Sequence, residues 1–150
     1  MKKLLLIVLV GIFIFAGAIV VYAGGTKAEA KTSVEKAYAY LKTNGKEKTL
    51  AEISKPNGRF DKGEVYVFVY DLKGTIIAHP KNQELIGKNV YNIPDEDGKL
   101  FRKDIVELAN EKGSGWVDYK YLNPGTKKIG CKTSYVLKAG DIVLCCGVYK

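Results

Sequence analysis

The chain has 150 residues, 27% of which are charged, and its net charge at pH 7 is +8. This length predicts a single domain that can bury a hydrophobic core without metal or disulfide crosslinks. The lysines are scattered singly among acidic residues, which is typical of a solvated surface and argues against a nucleic-acid-binding protein. The positive balance favours small anionic ligands or anionic surfaces.

The N-terminus carries an export or anchoring signal. Lys2 and Lys3 precede the uncharged apolar stretch Leu4–Val21, and small residues follow it. Residues 1–23 are therefore predicted to be either a cleaved signal peptide or a retained membrane anchor, because the stretch is long for a signal core and close to one membrane span. In both cases residues 26–150 form the domain, and it lies outside the cytoplasm, in the periplasm or the extracellular space.

Two helices are predicted before the first strand. The segment Thr26–Thr43 places apolar residues at helical spacing, and Asn44-Gly45 ends it with residues that accept a left-handed backbone conformation. A second, short helix begins at Thr49, where Thr49 and Glu52 match a capping box loosely.

The segment Glu64–Pro80 predicts a β-hairpin at the centre of the domain. Valines at every second position alternate with three aromatic residues: Tyr66, Phe68 and Tyr70. This pattern predicts a strand that is buried on both faces. The turn Asp71–Gly74 leads to a second strand, Thr75–Ala78, and that strand stops at His79, the only histidine.

The remainder of the chain predicts an antiparallel sheet. The segment Lys81–Lys99 lacks periodicity, and a loop of this length is usually functional or lid-like. A helix follows at Leu100–Lys112. Three further strands are predicted, at Gly115–Leu122, Lys127–Leu137 and Asp141–Tyr149. Sequential strands with a few helices predict an α+β domain with a five-stranded antiparallel sheet.

No metal site, cofactor or enzymatic activity is predicted. One histidine and no paired-cysteine spacing leave nothing of zinc type. The calcium-like run from Asp95 has Val106 where a bidentate glutamate is needed. The chain also lacks a nucleophile elbow, a glycine-rich phosphate loop and a haem attachment motif.

The three cysteines leave their redox state open. A turn near residues 138–140 would place Cys131 roughly opposite Gly147 in the last strand pair. A bridge from Cys131 to Cys145 or Cys146 would then need a shift in register. Free thiols and a disulfide with shifted register are both compatible with the sequence.

Several short motifs occur in a fixed order along the chain: Tyr66-x-Phe68-x-Tyr70-Asp71, His79-Pro80, Gly115-Trp116-Val117-Asp118-Tyr119, Asn123-Pro124-Gly125-Thr126, Lys132-x-Ser134-Tyr135-Val136 and Gly147-Val148-Tyr149. In this order they resemble the single Cache domain, an extracytoplasmic sensor domain of bacterial and archaeal chemoreceptors and histidine kinases. The resemblance runs from about Thr26 to the last residue. It implies a PAS-like fold, with a long N-terminal helix and a ligand pocket between a five-stranded antiparallel sheet and its connecting loops.

The resemblance also implies a ligand class and a set of ligand-binding residues. Members of this type bind small molecules, often short carboxylates such as acetate, propionate or pyruvate. The implied ligand-binding residues are Tyr66, Phe68, Tyr70, His79, Trp116, Tyr119, Lys132 and Tyr135. Strand parity limits this set, because Trp116 and Tyr119 cannot face the same side of a regular strand.

Each of these positions also has an ordinary structural interpretation. The aromatic face of the first strand could be plain core or a pocket wall. His79 could be held by a backbone carbonyl, or it could donate to a ligand carboxylate, which would raise its pKa. Lys132 could lie at the surface of a strand edge, or it could point inward and bind an anion.

The leading hypothesis is a module that binds and senses a small, anionic organic molecule. The loop after Pro80 would close over the ligand. Because no signalling module follows Tyr149, sensing is expected to need a separate signalling protein. The alternative is a structural or interaction protein of the cell envelope that uses this fold as an assembly unit and forms a homo-oligomer. A retained N-terminal segment would also make the membrane a partner.

Overall fold

The computed structural model describes residues 24–150, and the predicted signal peptide or anchor, residues 1–23, lies outside the described residues. The helices are α1 (Lys27–Asn44), α2 (Lys46–Ile53) and α3 (Phe101–Lys112), with a 3-10 turn at Gln83–Leu85. The strands are β1 (Asp61–Lys62), β2 (Val65–Asp71), β3 (Ile76–Ala78), β4 (Ser114–Leu122), β5 (Ile129–Ala139) and β6 (Ile142–Tyr149). Within residues 24–150 no helix is both long enough and apolar enough to cross a membrane.

All strand pairs are antiparallel, and the sheet has the order β1-β2-β6-β5-β4, with β3 also paired to β2. The predicted α+β class and PAS-like architecture are confirmed. The strand absent from the prediction is the two-residue β1, which pairs with the start of β2. Such a short strand has too few residues to show a period of two.

The first two helices begin at different residues from those predicted. Thr26 caps α1, because its hydroxyl accepts the N–H of Glu29 at 3.2 Å and the Glu29 carboxylate accepts the N–H of Thr26 at 2.6 Å. The capping box therefore belongs to α1, and its prediction at Thr49 was wrong. Thr49 lies inside α2, where its hydroxyl donates to the carbonyl of Gly45 at 2.7 Å. Gly45, at φ +80°, ends α1 and directly precedes α2, so α2 begins three residues earlier than predicted.

The sheet separates two hydrophobic cores. On one face, α1 packs through Ala30, Val34 and Ala37 against alternate residues of β2 and β6. The other face, called the site face below, carries Tyr66, Phe68 and Tyr70 and is covered by α3 and the loop that precedes it. Because strand residues alternate between faces, β2 is buried on both sides, as its sequence predicted.

The β5–β6 hairpin has a different register from the predicted one. Its strands join through a two-residue turn, so Ala139 opposes Ile142 and Ser134 opposes Gly147. Cys131 consequently lies beside Lys150, whose N–H donates to the Cys131 carbonyl at 2.9 Å. The prediction that Cys131 opposes Gly147 was wrong by three positions, because the turn is centred one to two residues later. All three cysteines are free; Cys131 is exposed, and the adjacent pair at 145 and 146 is buried.

Candidate ligand-binding site

Six of the eight implied ligand-binding residues lie on the site face: Tyr66, Phe68, Tyr70, His79, Tyr119 and Lys132. Trp116 and Tyr135 oppose each other on the α1 face, with ring centroids 5.3 Å apart. Trp116 and Tyr119 therefore face opposite sides, as strand parity required. Tyr135 faces α1 because its strand neighbours Lys132 and Ser134 point to the site face. Trp116 and Tyr135 therefore do not line the site face.

Lys132 is a buried cation on the site face. Its residue surface is only 1% exposed, and its Nζ donates to the hydroxyl of Tyr66 at 2.8 Å. Four aromatic ring centroids lie 4.1 to 5.4 Å from this Nζ, those of Tyr66, Phe68, Tyr121 and Tyr149. Burial lowers the pKa of Lys132 to about 7, while the Cys146 and Cys145 thiols act in the opposite direction. Lys132 thus points inward and is not a surface residue of a strand edge.

Arg102 is a second buried cation, and it was absent from the predicted site. It is 7% exposed, and its Nη1 donates to the carbonyl of Ile93 at 3.0 Å. Its Nε has no hydrogen-bond partner among the described residues. The guanidinium carbon lies 4.2 Å from the ring centroid of Phe101 and 5.9 Å from that of Tyr121. Both Arg102 and Lys132 therefore lie within 6 Å of the Tyr121 ring centroid.

The periodicity of α3 contains the signal that could have identified Arg102. The buried stripe of this helix includes Arg102, Ile105, Val106 and Ala109, which are spaced at i, i+3, i+4 and i+7. An arginine on an otherwise apolar helical stripe is unusual, because burying a charge is costly unless it has a partner. That position alone would have justified listing Arg102 as a candidate.

Within residues 24–150, neither Lys132 nor Arg102 forms an ion pair with a carboxylate. The ion pairs of residues 24–150 join acidic side chains to other lysines, and most of them lie at the surface. The site face thus carries two buried positive groups without a protein counter-charge. This arrangement can accept an anion.

His79 is neutral and its ring orientation is fixed. Its Nδ1 accepts the N–H groups of Lys81 at 3.1 Å and Asn82 at 3.0 Å, so the ring proton is on Nε2. Burial, together with the nearby charges of Lys132 and Arg102, lowers the pKa of His79 to about 3. The predicted contact with a backbone carbonyl is wrong for Nδ1, because the backbone donates to this nitrogen. Donation from His79 to a ligand carboxylate stays a prediction. The Nε2–H group remains a neutral hydrogen-bond donor.

Aromatic rings from α3 and from the sheet, some with hydroxyl groups, form the wall of the site. The rings of Phe101 and Tyr119 stack with centroids 4.0 Å apart. The Tyr119 hydroxyl is 2.7 Å from the Ser134 hydroxyl, and the Tyr121 hydroxyl accepts from Asn82 Nδ2 at 2.8 Å. Burial raises the pKa of Tyr119 well above its ordinary value, so this phenol stays protonated. The wall is apolar with a few placed hydroxyls, as small-molecule sites usually are.

Gly147 makes room for the Lys132 side chain. A Cβ at Gly147 would collide with the Ser134 hydroxyl and lie 2.5 Å from Lys132 Cε. The absence of a side chain on β6 at this point allows the lysine stem to cross the strand. The sequence motif Gly147-Val148-Tyr149 thus has a packing role at the site.

The loop of residues 81–99 is latched to the edge of the sheet by Asp95. Its carboxylate accepts the N–H groups of Asp97, Lys99 and Lys120 at 2.9 to 3.0 Å. Burial alone would raise the pKa of Asp95, but these donors outweigh that effect and lower it. The carboxylate is therefore used to hold the loop. Within residues 24–150, no three His, Cys, Asp or Glu side chains come close enough to hold a metal ion.

A cavity of about 300 Å³ lies beside the Asp95 carboxylate. It is lined by residues of the loop and of β4 and β5, among them Asp95, Lys99, Tyr119, Lys120 and Lys132. The cavity is open to the surface of the protein, and Lys132 is among its lining residues.

Two larger cavities lie along α1. One, of about 630 Å³, is lined by Gly25, Lys36 and Glu64 among others, and one of about 720 Å³ includes Lys36, Tyr40 and Phe60. Neither is lined by Lys132, Arg102 or His79. The largest of these cavities therefore lie along α1, whereas the buried charges lie on the site face of the sheet. The unpaired buried charge is the more specific mark of a ligand, because charged residues around an open groove are solvated and need no partner.

A PAS-like sheet, an aromatic wall and buried cations without a carboxylate partner together suit a domain that binds small molecules. The sequence profile described as Cache domain matches residues 28–149. The chain therefore belongs to the Cache domain family, and the resemblance seen in the sequence is confirmed.

Curated relatives are similar to part of this chain. The methyl-accepting chemotaxis protein McpP of Pseudomonas putida is 32% identical over 93 residues, which cover 61% of this chain and 17% of that protein. The sensor histidine kinase MctS of Rhizobium johnstonii is 35% identical over 72 residues, which cover 48% of this chain and 15% of that protein. The chain thus spans less than a fifth of each relative.

Solved structures share the fold over most of the chain. A chemotaxis protein structure from Vibrio parahaemolyticus matches with a TM-score of 0.72 and 22% identity, covering 82% of this chain and 87% of that one. A structure described as the basis for carboxylic acid recognition by a Cache chemosensory domain matches with a TM-score of 0.68 and 29% identity, covering 81% and 91%. A third, described as a periplasmic sensor domain of a chemotaxis protein, has a TM-score of 0.65 and 28% identity, covering 81% and 88%.

Proposed function

We propose that this domain binds a small organic anion, such as a short carboxylate, between α3 and the site face of the sheet, and that it acts as an extracytoplasmic sensing module. The observation that carries the proposal is the pair of buried cations, Lys132 and Arg102, without a carboxylate partner in residues 24–150. Buried charges are costly unless they are paired and hydrogen-bonded. A bound anion would supply the missing counter-charge.

The surrounding groups favour a small ligand with one apolar end. Aromatic rings from β2, β4 and α3 exclude water, which strengthens a charge interaction within the site. The Nε2–H of His79 and the hydroxyls of Tyr66 and Tyr119 are neutral groups that can complete the hydrogen bonds of a carboxylate. No residue is assigned a catalytic role, since the site offers binding groups without an activated nucleophile.

The relatives support the sensing part of the proposal. The two curated relatives are named as a chemotaxis protein and a sensor histidine kinase, and one structural neighbour at 29% identity is described by its recognition of carboxylic acids. For this chain, ligand occupancy would change the position of the 81–99 loop and be passed through α1 to a signalling module. A location in the periplasm or at the outer face of the membrane follows from the same proposal.

Thermal unfolding with a panel of ligands tests the proposal. Binding to the native state alone raises the melting temperature by mass action. We expect acetate, propionate or pyruvate to raise it, and the corresponding neutral amides to leave it unchanged. If no carboxylate raises it, and mass spectrometry of the denatured protein finds no co-purified anion, the proposal is wrong.

Two variants assign the binding to this site. Lys132→Met and Arg102→Met should each weaken the active carboxylate by roughly tenfold or more, the scale expected for removing a buried charge partner. Lys128→Met is the matched control, because Lys128 is exposed on the β4–β5 loop. Titration calorimetry measures the three affinities. Equal affinities in all three variants would place the ligand elsewhere.

A further inference from the structure

Residues 24 and 25 lie at the end of the sheet where β2 starts and β6 finishes. Gly25 lies against the start of β2 and the end of β6, because a Cβ at Gly25 would collide with Val65 Cγ2 and lie 3.2 Å from Val148 Cγ1. A Cβ at Gly24 would lie 3.4 Å from the carbonyl oxygen of Tyr149. The uncharged stretch Leu4–Val21 ends three residues before Gly24. That apolar segment therefore joins the domain at this end of the sheet.

The β4–β5 hairpin projects beyond the rest of the sheet at the same end. The last residue pair between β5 and β6 is Lys132–Tyr149, whereas pairing between β4 and β5 continues for three more residues to Leu122–Ile129. At about 3.3 Å per residue, this is a projection of about 10 Å. Residues 122–129 are called the hairpin tip below.

The hairpin tip is both apolar and basic. Leu122 is 46% exposed and Ile129 is 47% exposed, and they are directly opposite each other. Lys127 and Lys128 are exposed between them, and neither pairs with a carboxylate of residues 24–150. No aspartate or glutamate occurs from residue 119 to residue 140. The Glu64 carboxylate lies close to Gly125 in the tip, because a Cβ at Gly125 would be 2.8 Å from Glu64 Oε1.

The tip has a fixed shape. The side-chain oxygen of Asn123 accepts the N–H groups of Gly125 at 2.7 Å and Thr126 at 3.2 Å, and the Asn123 N–H donates to the Lys128 carbonyl at 2.9 Å. The Tyr149 hydroxyl donates to the Leu122 carbonyl at 2.7 Å, which ties the tip to the last strand. The two apolar side chains and the two lysines are thus presented together on a braced hairpin.

We propose that the hairpin tip docks on the surface of an anionic phospholipid bilayer, the one that holds the N-terminal apolar segment. Leu122 and Ile129 would enter the interface, and Lys127 and Lys128 would pair with lipid phosphates. Paired apolar and basic side chains are the combination that binds anionic membrane surfaces. The tip lies at the end of the domain where the apolar segment joins it, so a bilayer that holds this segment would be close to the tip. This proposal is independent of ligand binding at the site face.

The test measures lipid contact at the tip in the full chain. Cys131→Ser removes the exposed thiol, and Thr126→Cys then carries an environment-sensitive fluorophore while leaving the four proposed contact residues in place. The protein is reconstituted in vesicles of phosphatidylcholine with and without phosphatidylglycerol, some containing brominated acyl chains as quenchers. A label at Lys73→Cys, on the β2–β3 turn at the opposite end of β2, is the matched control.

We expect the emission of the label at position 126 to shift to the blue and to be quenched by brominated lipid in anionic vesicles, with neither effect at position 73. Lys127→Gln together with Lys128→Gln should reduce the quenching to the level seen in neutral vesicles. Ile129→Ser together with Leu122→Ser should abolish it. These variants change exposed residues, and their melting temperatures check that the domain still folds.

Equal quenching at positions 126 and 73, or none at 126 in anionic vesicles, would overturn the proposal. A blue shift that grows with the ratio of protein to lipid and is insensitive to brominated lipid would also overturn it, because the tip would then contact a second copy of the chain.

Discussion

Lys132 and Arg102 are two buried, positively charged residues that lack a carboxylate partner. Each is buried, and no carboxylate of residues 24–150 offsets its charge. The two also differ, because an arginine stays charged at any accessible pH whereas burial lowers the pKa of Lys132 to about 7. The charge of the empty site is therefore expected to change near neutral pH through Lys132 alone.

The affinity for a carboxylate should fall as the pH rises from about 6 to about 8.5, because the anion binds best when Lys132 carries its proton. The carboxylate itself stays ionised over this range, so its own charge does not contribute. Titration calorimetry at several pH values measures the slope. Lys132→Met should remove the slope while Lys128→Met keeps it; an identical slope in Lys132→Met would show that another group titrates.

His79 predicts a different pH effect, on stability. Its folded-state pKa of about 3 is below the ordinary value, so between about pH 6.5 and pH 3 the unfolded chain takes up a proton that the folded chain does not. Stability from this group is therefore present above pH 6.5 and is lost as the pH falls. His79→Asn keeps an acceptor for the N–H groups of Lys81 and Asn82 but does not titrate.

Denaturant unfolding at pH 7 and pH 5 measures the difference. The wild-type protein should lose about 2 kcal/mol more than His79→Asn over this interval. Equal losses in the two proteins would mean that the histidine is charged in the folded state.

The alternation of side chains along the strands determines which residues lie on the site face. Alternation places Tyr66, Phe68 and Tyr70 on the site face of β2 and puts Lys132 and Ser134 on the same face of β5. Gly147 on β6 leaves the space that the lysine stem fills. A glycine in the interior of a strand is normally unfavourable, and here close packing explains it.

Gly147→Ala should destabilise the domain by about 1–3 kcal/mol, the usual cost of overpacking, and should weaken carboxylate binding by displacing Lys132. Gly130→Ala is the control, because a Cβ there would meet only Tyr149 Cδ1 at 3.4 Å, an ordinary contact. Denaturant unfolding measures the stability of both variants, and calorimetry measures their affinity for the carboxylate. The packing role would be refuted by equal stability and equal affinity.

Elements with strong periodicity were predicted well, and those set by caps or turns less well. Strand β2 and helix α3 matched their predicted segments closely. Side-chain character repeats every two residues in β2, and apolar residues repeat about every 3.6 residues in α3. The start of α2 and the register of β5 with β6 were wrong. Both depend on the geometry of a turn, at Gly45 and at Gly140, which local hydrophobic patterns do not determine.

The whole molecule places its most protected strand at the centre of the sheet. Strand β6 pairs with both β2 and β5 and is buried from Ile142 to Val148, whereas the 81–99 loop is largely exposed. Protection from hydrogen exchange should follow the same order, because central, buried hydrogen bonds open only with the whole domain.

Hydrogen exchange followed by mass spectrometry should find the slowest amides in β6 and faster exchange in the 81–99 loop. Saturating carboxylate should slow the loop further, since the proposed ligand lies beneath it. A peptide from the start of α2, remote from the site, controls for a non-specific effect of the carboxylate on exchange. If the loop slows no more than that peptide, the loop does not close over the ligand.

The sequence by itself determined the class of the domain, most of its helices and strands, the shared face of Tyr66, Phe68 and Tyr70, and the likeness to the Cache family. These features follow from local periodicity and from the order of short motifs along the chain. The tertiary structure decided which face of the sheet α3 covers, that His79 is neutral, and that Lys132 and Arg102 share one buried region without a carboxylate. Burial and charge pairing arise between residues far apart in the chain, so no local pattern could show them.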